Sequence, residues 1–201
     1  MTISVFDLFS IGIGPSSSHT VGPMRAARQF ALLLEHEGSV ASIKTELYGS
    51  LALTGKGHGT DFAALLGLEG ETPEGVDPAK IKGRVAKIRE EKALLLLGKK
   101  PLSYIEERDL LFHKDKFLPY HPNGIRFTAY DLNGGELLSK VYYSVGGGFI
   151  VEHEKISKSS PLVENTHRTK PVAPTSTTSK FASAFKSQVH RQDLTKIHSL
   201  N

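Results

Sequence analysis

Ile11-Gly12-Ile13-Gly14-Pro15-Ser16-Ser17-Ser18-His19-Thr20-Val21-Gly22-Pro23-Met24-Arg25 packs small residues, four hydroxyls and one imidazole into a single connection. Up to Ile13 it reads as the end of a buried strand. After Thr20, apolar Met24, Ala27, Ala31 and Leu34 recur at three- and four-residue steps, which predicts a helix to about Glu37 that stops at Gly38. The turn between them is where a ligand would sit. Gly12 and Gly14 permit backbone conformations and close approaches that a Cβ blocks. The hydroxyls of Ser16, Ser17, Ser18 and Thr20 suit helix N-caps, and Pro23 is tolerated in a first turn. A helix start with spare N–H donors suits a carboxylate or phosphate, and His19 adds a group that titrates near neutrality. The same residues equally suit a capped helix with no ligand, so both readings stand at this point.

Working outward, residues 40–48 alternate partly, with Ile43, Thr45 and Leu47 on one side, and predict a strand ending at Gly49. The next connection, Gly49-Ser50-Leu51-Ala52-Leu53-Thr54-Gly55-Lys56-Gly57-His58-Gly59-Thr60-Asp61, resembles a P-loop only superficially. Five residues separate Gly49 from Gly55 where that motif has four, and Gly57 stands where a Ser or Thr is required. What remains is His58 between two glycines. Such a histidine is either exposed on a turn or brought close to another surface, with Lys56 supplying positive charge and Thr60 or Asp61 capping a helix from Phe62.

Residues 69–82, with Pro73, Gly75 and Pro78, read as a surface loop. Ile81, Val85 and Ile88 predict a helix over 80–92, and the apolar run 94–97 predicts a core strand. Adjacent Glu106 and Glu107 point to opposite faces of an extended chain and read as surface. His121-Pro122-Asn123-Gly124 is a turn that opens an alternating strand, Asn133-Gly134-Gly135 turns it into a hairpin, and Gly146-Gly147-Gly148 reads as a bulge before a further strand.

The 201 residues, 39% hydrophobic, are enough for an ordinary core. No apolar run is long enough to predict a membrane span, and no secretory signal is legible, so the expected compartment is the cytoplasm. With no cysteine, a disulfide, a thiolate nucleophile and a cysteine-ligated cluster are excluded within this chain. The net charge of +4 arises after His153, where eight basic residues face three acidic ones; this is a basic tail rather than a nucleic-acid-binding face. Residues 155–180 are rich in Ser, Thr, Pro and Lys without periodicity, residues 181–201 show only a weak helical pattern, and 154–201 is expected to be linker or disordered tail whose next domain is missing.

Four motifs together, at 14–24, 49–61, 121–124 and Tyr142-Tyr143-Ser144-Val145-Gly146-Gly147-Gly148-Phe149, resemble the β domain of the bacterial iron–sulfur L-serine dehydratases. The resemblance covers residues 2–153. It implies an α+β fold, a mixed sheet with helices packed on it, similar to the allosteric substrate-binding domain of some 3-phosphoglycerate dehydrogenases. It also implies L-serine as ligand and a partner α domain whose cysteines hold a [4Fe–4S] cluster, with none bound by this chain. A homo-oligomer is left open.

In that family a cluster iron polarises the serine hydroxyl while a base takes the weakly acidic Cα proton. The resemblance implies that His58 and His121 reach an interface with the α domain. His58 is expected as base, and His121 with Asn123 as substrate positioners or proton relay. Ser16, Ser17, Ser18, His19 and Thr20 are expected to hold the carboxylate, and Lys56 and Asp61 to line the same site. Rival readings make the domain a serine sensor, with catalysis wholly in the α domain, or an inactive gene fragment.

Overall fold

The computed structural model describes residues 13–159. A five-stranded mixed sheet in the order β4-β1-β5-β6-β7 packs with helices, which is the expected α+β architecture. The expected strand before Gly14 and the expected tail from residue 160 onward lie outside the described residues.

Helix α1 (Val21–Leu33) buries Met24, Ala27, Phe30 and Ala31, as the spacing predicts. It ends at Leu33 rather than Glu37, so Gly38 is not its stop. Strand β1 (Ser42–Gly49) turns Ile43, Thr45 and Leu47 into the core.

The largest departure from the sequence reading follows at once. Residues 49–61 are not a loop: α2 (Ser50–His58) starts directly at the end of β1, and α3 (Thr60–Leu68) follows after one residue. Two glycines inside α2 cost intrinsic helix propensity, and packing overrides it. A Cβ on Gly55 would sit 3.3 Å from both Phe112 and Thr60, so a small residue lets α2 lie close to its neighbours. Gly59, at φ +82°, ends α2 and is also the N-cap of α3, which displaces Thr60 and Asp61 from the expected capping role into the helix itself. Helix α3 packs on α1 where Gly67 meets the Met24 carbonyl too closely for a side chain.

Helix α4 (Pro78–Glu91), capped by Asp77, precedes a two-stranded hairpin of β2 (Ala93–Leu96) and β3 (Lys100–Ser103). A short helix, α5 (Glu106–Asp109), leads into β4 (Leu110–His113), which pairs parallel with β1. Glu106 is therefore not in an extended surface strand; its carboxylate pairs with Arg89 of α4. Strands β5 (Asn123–Tyr130), β6 (Glu136–Gly146) and β7 (Phe149–Glu152) complete an antiparallel meander on β1. Ile125, Phe127 and Ala129 face inward, and the register shifts beside the Gly146–Gly148 turn, where all three glycines have positive φ. Residues His153–Ser159 form α6, where composition alone reads linker from 154. No helix among the described residues is long and apolar enough to cross a membrane.

Candidate functional site

Three connections meet at one end of β1. The serine turn precedes α1, Ser50 opens α2, and the α2–α3 junction returns beside both.

The turn at 16–20 is closed by its own backbone. The N–H groups of His19 and Thr20 donate to the Ser16 carbonyl, and that of Gly22 to Ser17. Thr20 is fully buried, and its hydroxyl donates to the Ser16 carbonyl at 2.8 Å rather than capping α1. The expected serine caps are thus replaced by carbonyl acceptors, and the Ser16 and Ser18 hydroxyls are left for another partner. That partner is His19. Its Nδ1 lies 3.2 Å from Ser16 Oγ and 3.1 Å from Ser18 Oγ, while Nε2 lies 3.2 Å from Ser50 Oγ. Ser17 enters through its carbonyl.

His58, half-buried at the end of α2, lies with its ring 5.0 Å from that of His19. Its Nδ1 is 3.1 Å from the Thr54 carbonyl. A carbonyl only accepts, so Nδ1 carries the proton and Nε2 the lone pair of the neutral ring. Burial, then the charge of His58, hold the His19 ring below the ordinary imidazole value, and the Ser50 backbone acts in the opposite direction. A charge on His58 thus disfavours a second charge on His19.

His121 is on a third turn. Its Nδ1 accepts the Asn123 N–H at 3.1 Å, and burial lowers its pKa. The Pro122 carbonyl accepts the Ser50 N–H at 2.9 Å, which joins this turn to the start of α2. Among the described residues no ring contact links His121 to the other two imidazoles.

Asn123 is buried, and its amide donates to the Ser144 carbonyl at 3.2 Å. Lys56 is exposed, with its ammonium 5.4 Å from the centre of the Phe112 ring, on a groove it shares with His58 and Lys114. Asp61 is held by Arg89 at 2.8 Å. Ser50, which no sequence argument singled out, is the added member. Its only sequence signal is its place after Gly49, whose φ of +54° makes the sharp exit from β1.

Comparison with known proteins places these features in context. A family model described as serine dehydratase beta chain matches residues 4–155. L-serine dehydratase of Streptomyces coelicolor is 53% identical over 169 residues, covering 83% of this chain and 37% of that protein. The Mycobacterium tuberculosis L-serine dehydratase is 51% identical over 157 residues, covering 77% and 34%. L-serine dehydratase 1 of Escherichia coli is 48% identical over 157 residues, covering 76% and 34%. The chain spans about a third of the length of these curated relatives.

Proposed function

The chain belongs to the serine dehydratase beta chain family, and from that membership we propose that it supplies the imidazole-and-hydroxyl half of a site that deaminates L-serine to pyruvate and ammonia. The observation that carries this reading is the His19–His58 pair, 5.0 Å apart and ringed by Ser16, Ser18 and Ser50.

Serine must lose a weakly acidic Cα proton and a poor leaving group. His58 is the base: its Nδ1 faces a carbonyl, and its Nε2 lone pair is free to accept. His19, neutral beside it, does not repel the proton that His58 gains. The hydroxyls of Ser16 and Ser18 hold the substrate carboxylate, with His19 orienting them. His121, whose Nδ1 accepts from Asn123, presents Nε2–H as a donor and positions substrate. Asn123 acts through its turn, since its amide is committed to Ser144. Lys56 adds positive potential, and Asp61 holds the start of α3.

The [4Fe–4S] cluster of this reading sits on an α domain. The residues here do not fit it: the chain has no cysteine, and the described residues include no His, Asp and Glu grouping that could hold a metal. Hydroxide departure therefore belongs to the partner, and this chain alone turns over no serine. The cytoplasm is the compartment of this reading.

The test combines the chain with the part of the Streptomyces coelicolor enzyme that it does not match, and follows pyruvate formation. His58→Ala is expected to lower the rate by about 100-fold or more. Retention of most of the rate would refute the base assignment. The sensor reading draws on hydroxyls and imidazoles that all come from one chain. Calorimetric titration of the chain alone with L-serine favours it if binding is clear, and the shared site if there is none.

A further inference from the structure

His121 is held from the far side of its own turn, by β6 and the residue that opens α6. On one flank, the Tyr143 phenol oxygen lies 2.9 Å from His153 Nδ1. The Tyr120 ring stands edge-on to that of Tyr143, with centres 5.9 Å apart at 87°, and lies 4.9 Å from the His153 ring. On the other flank, Asn123 donates to the Ser144 carbonyl. Tyr143 and Ser144 are consecutive, so one strand grips both ends of the His121-Pro122 dipeptide.

The Tyr143 phenol and His153 Nδ1 share one hydrogen bond, in which the phenol donates when Nδ1 carries no proton. The His121 ring is tied to the backbone it sits on, through Nδ1 and the Asn123 N–H. The direction of its Nε2–H is therefore set by the backbone of residues 120–123, and that backbone is what Tyr143 and Ser144 fasten.

We propose that Tyr143 and His153 are positioning residues for His121, locking its turn so that Nε2–H points to one place. This rests on the reading of His121 as a substrate-positioning donor. Neither residue touches substrate in this proposal.

The test uses the full 201-residue chain, isotopically labelled for NMR, and reads the His121 ring nitrogens and hydrogen exchange at the Asn123 amide. Tyr143→Phe and His153→Leu are expected to speed Asn123 exchange about tenfold, the scale of one lost hydrogen bond, and to shift the His121 ring nitrogens toward a mixture of tautomers. His153→Asn, which keeps an acceptor near the Nδ1 position, restores both readouts. Core amides at Ile43 and Phe127 exchange at wild-type rates throughout. Unchanged His121 nitrogens and Asn123 exchange in Tyr143→Phe overturn the proposal. So does equal acceleration of the core amides, which would make the pair a general support of the fold. No serine enters these measurements, so they are independent of the catalytic reading, which His121→Ala tests in the combined enzyme.

Discussion

Thr60 Oγ1 donates to the His19 carbonyl oxygen across 2.7 Å, tying the start of α3 to the serine turn. Thr60 is fully buried and lies just past His58 and Gly59, so this bond helps set how far the two imidazoles stand apart. Thr60→Val keeps the shape and removes the donor. It is expected to lower stability by about 1–3 kcal/mol, the cost of leaving such a group unpaired, and to disturb both imidazole signals. Thr60→Ser keeps most of the stability. Urea unfolding midpoints and the His19 and His58 ring resonances check this; wild-type stability in Thr60→Val would exclude a role for the bond.

Two neighbouring glycines are expected to respond in opposite senses. Gly59 has a φ of +82°, and a Cβ there would run into the Phe62 ring. Gly59→Ala should destabilise by about 1–3 kcal/mol through backbone strain and overpacking. Gly57 lies inside α2 with nothing within 4 Å of an added Cβ. Gly57→Ala should stabilise by about 0.5 kcal/mol, because it removes backbone freedom from the unfolded chain. Thermal unfolding of the two variants side by side decides the matter; the same sign in both would contradict the geometry.

Acid should weaken the fold below the ordinary imidazole pKa. His19 and His121 both have folded-state values below 6.5, chiefly through burial. Between those values and 6.5 the unfolded chain binds more protons than the folded one, so stability rises with pH across that window. It is fully present above 6.5 and is lost as pH falls through the folded values. Urea midpoints measured from pH 8 to 5 should drop on the acid side, and His19→Gln should flatten the drop. A midpoint that stays level or rises on acidification would show that these rings are not held neutral by the fold.

Arg89 spans Asp61 and Glu106 and so joins α3, α4 and α5. Asp61 is buried, and among the described residues its Oδ1 has no hydrogen-bond partner and Arg89 is the cation that pairs with the carboxylate. Arg89→Met is expected to cost about 1–2 kcal/mol, moderated by the solvent that reaches the guanidinium. In the Asp61→Asn background the same change should cost less, since a neutral amide tolerates an absent cation better. A double-mutant cycle on urea midpoints gives the coupling, and strict additivity would show that the pair carries none.

Much of the fold is legible because its signals are local. The three- and four-residue steps of Met24, Ala27 and Ala31 mark α1, the alternation of Ile43, Thr45 and Leu47 marks β1, and Asn123-Gly124 and Asn133-Gly134 mark where β5 begins and turns. Residues 49–61 misled because glycine content argues for a loop, while the helix α2 packs against Phe112, which no local window contains. The serine hydroxyls misled although their partners are local. Backbone carbonyls close the turn before α1, and the hydroxyls face an imidazole instead.

The order of residues alone settled which chemical groups this domain possesses, including the hydroxyls, the imidazoles and the lack of any thiol. Folding settled which of them meet. Side-chain type is a property of one position, whereas the contact of His19 with Ser50 and His58 arises only when buried apolar faces lock β1, α1 and α3 together.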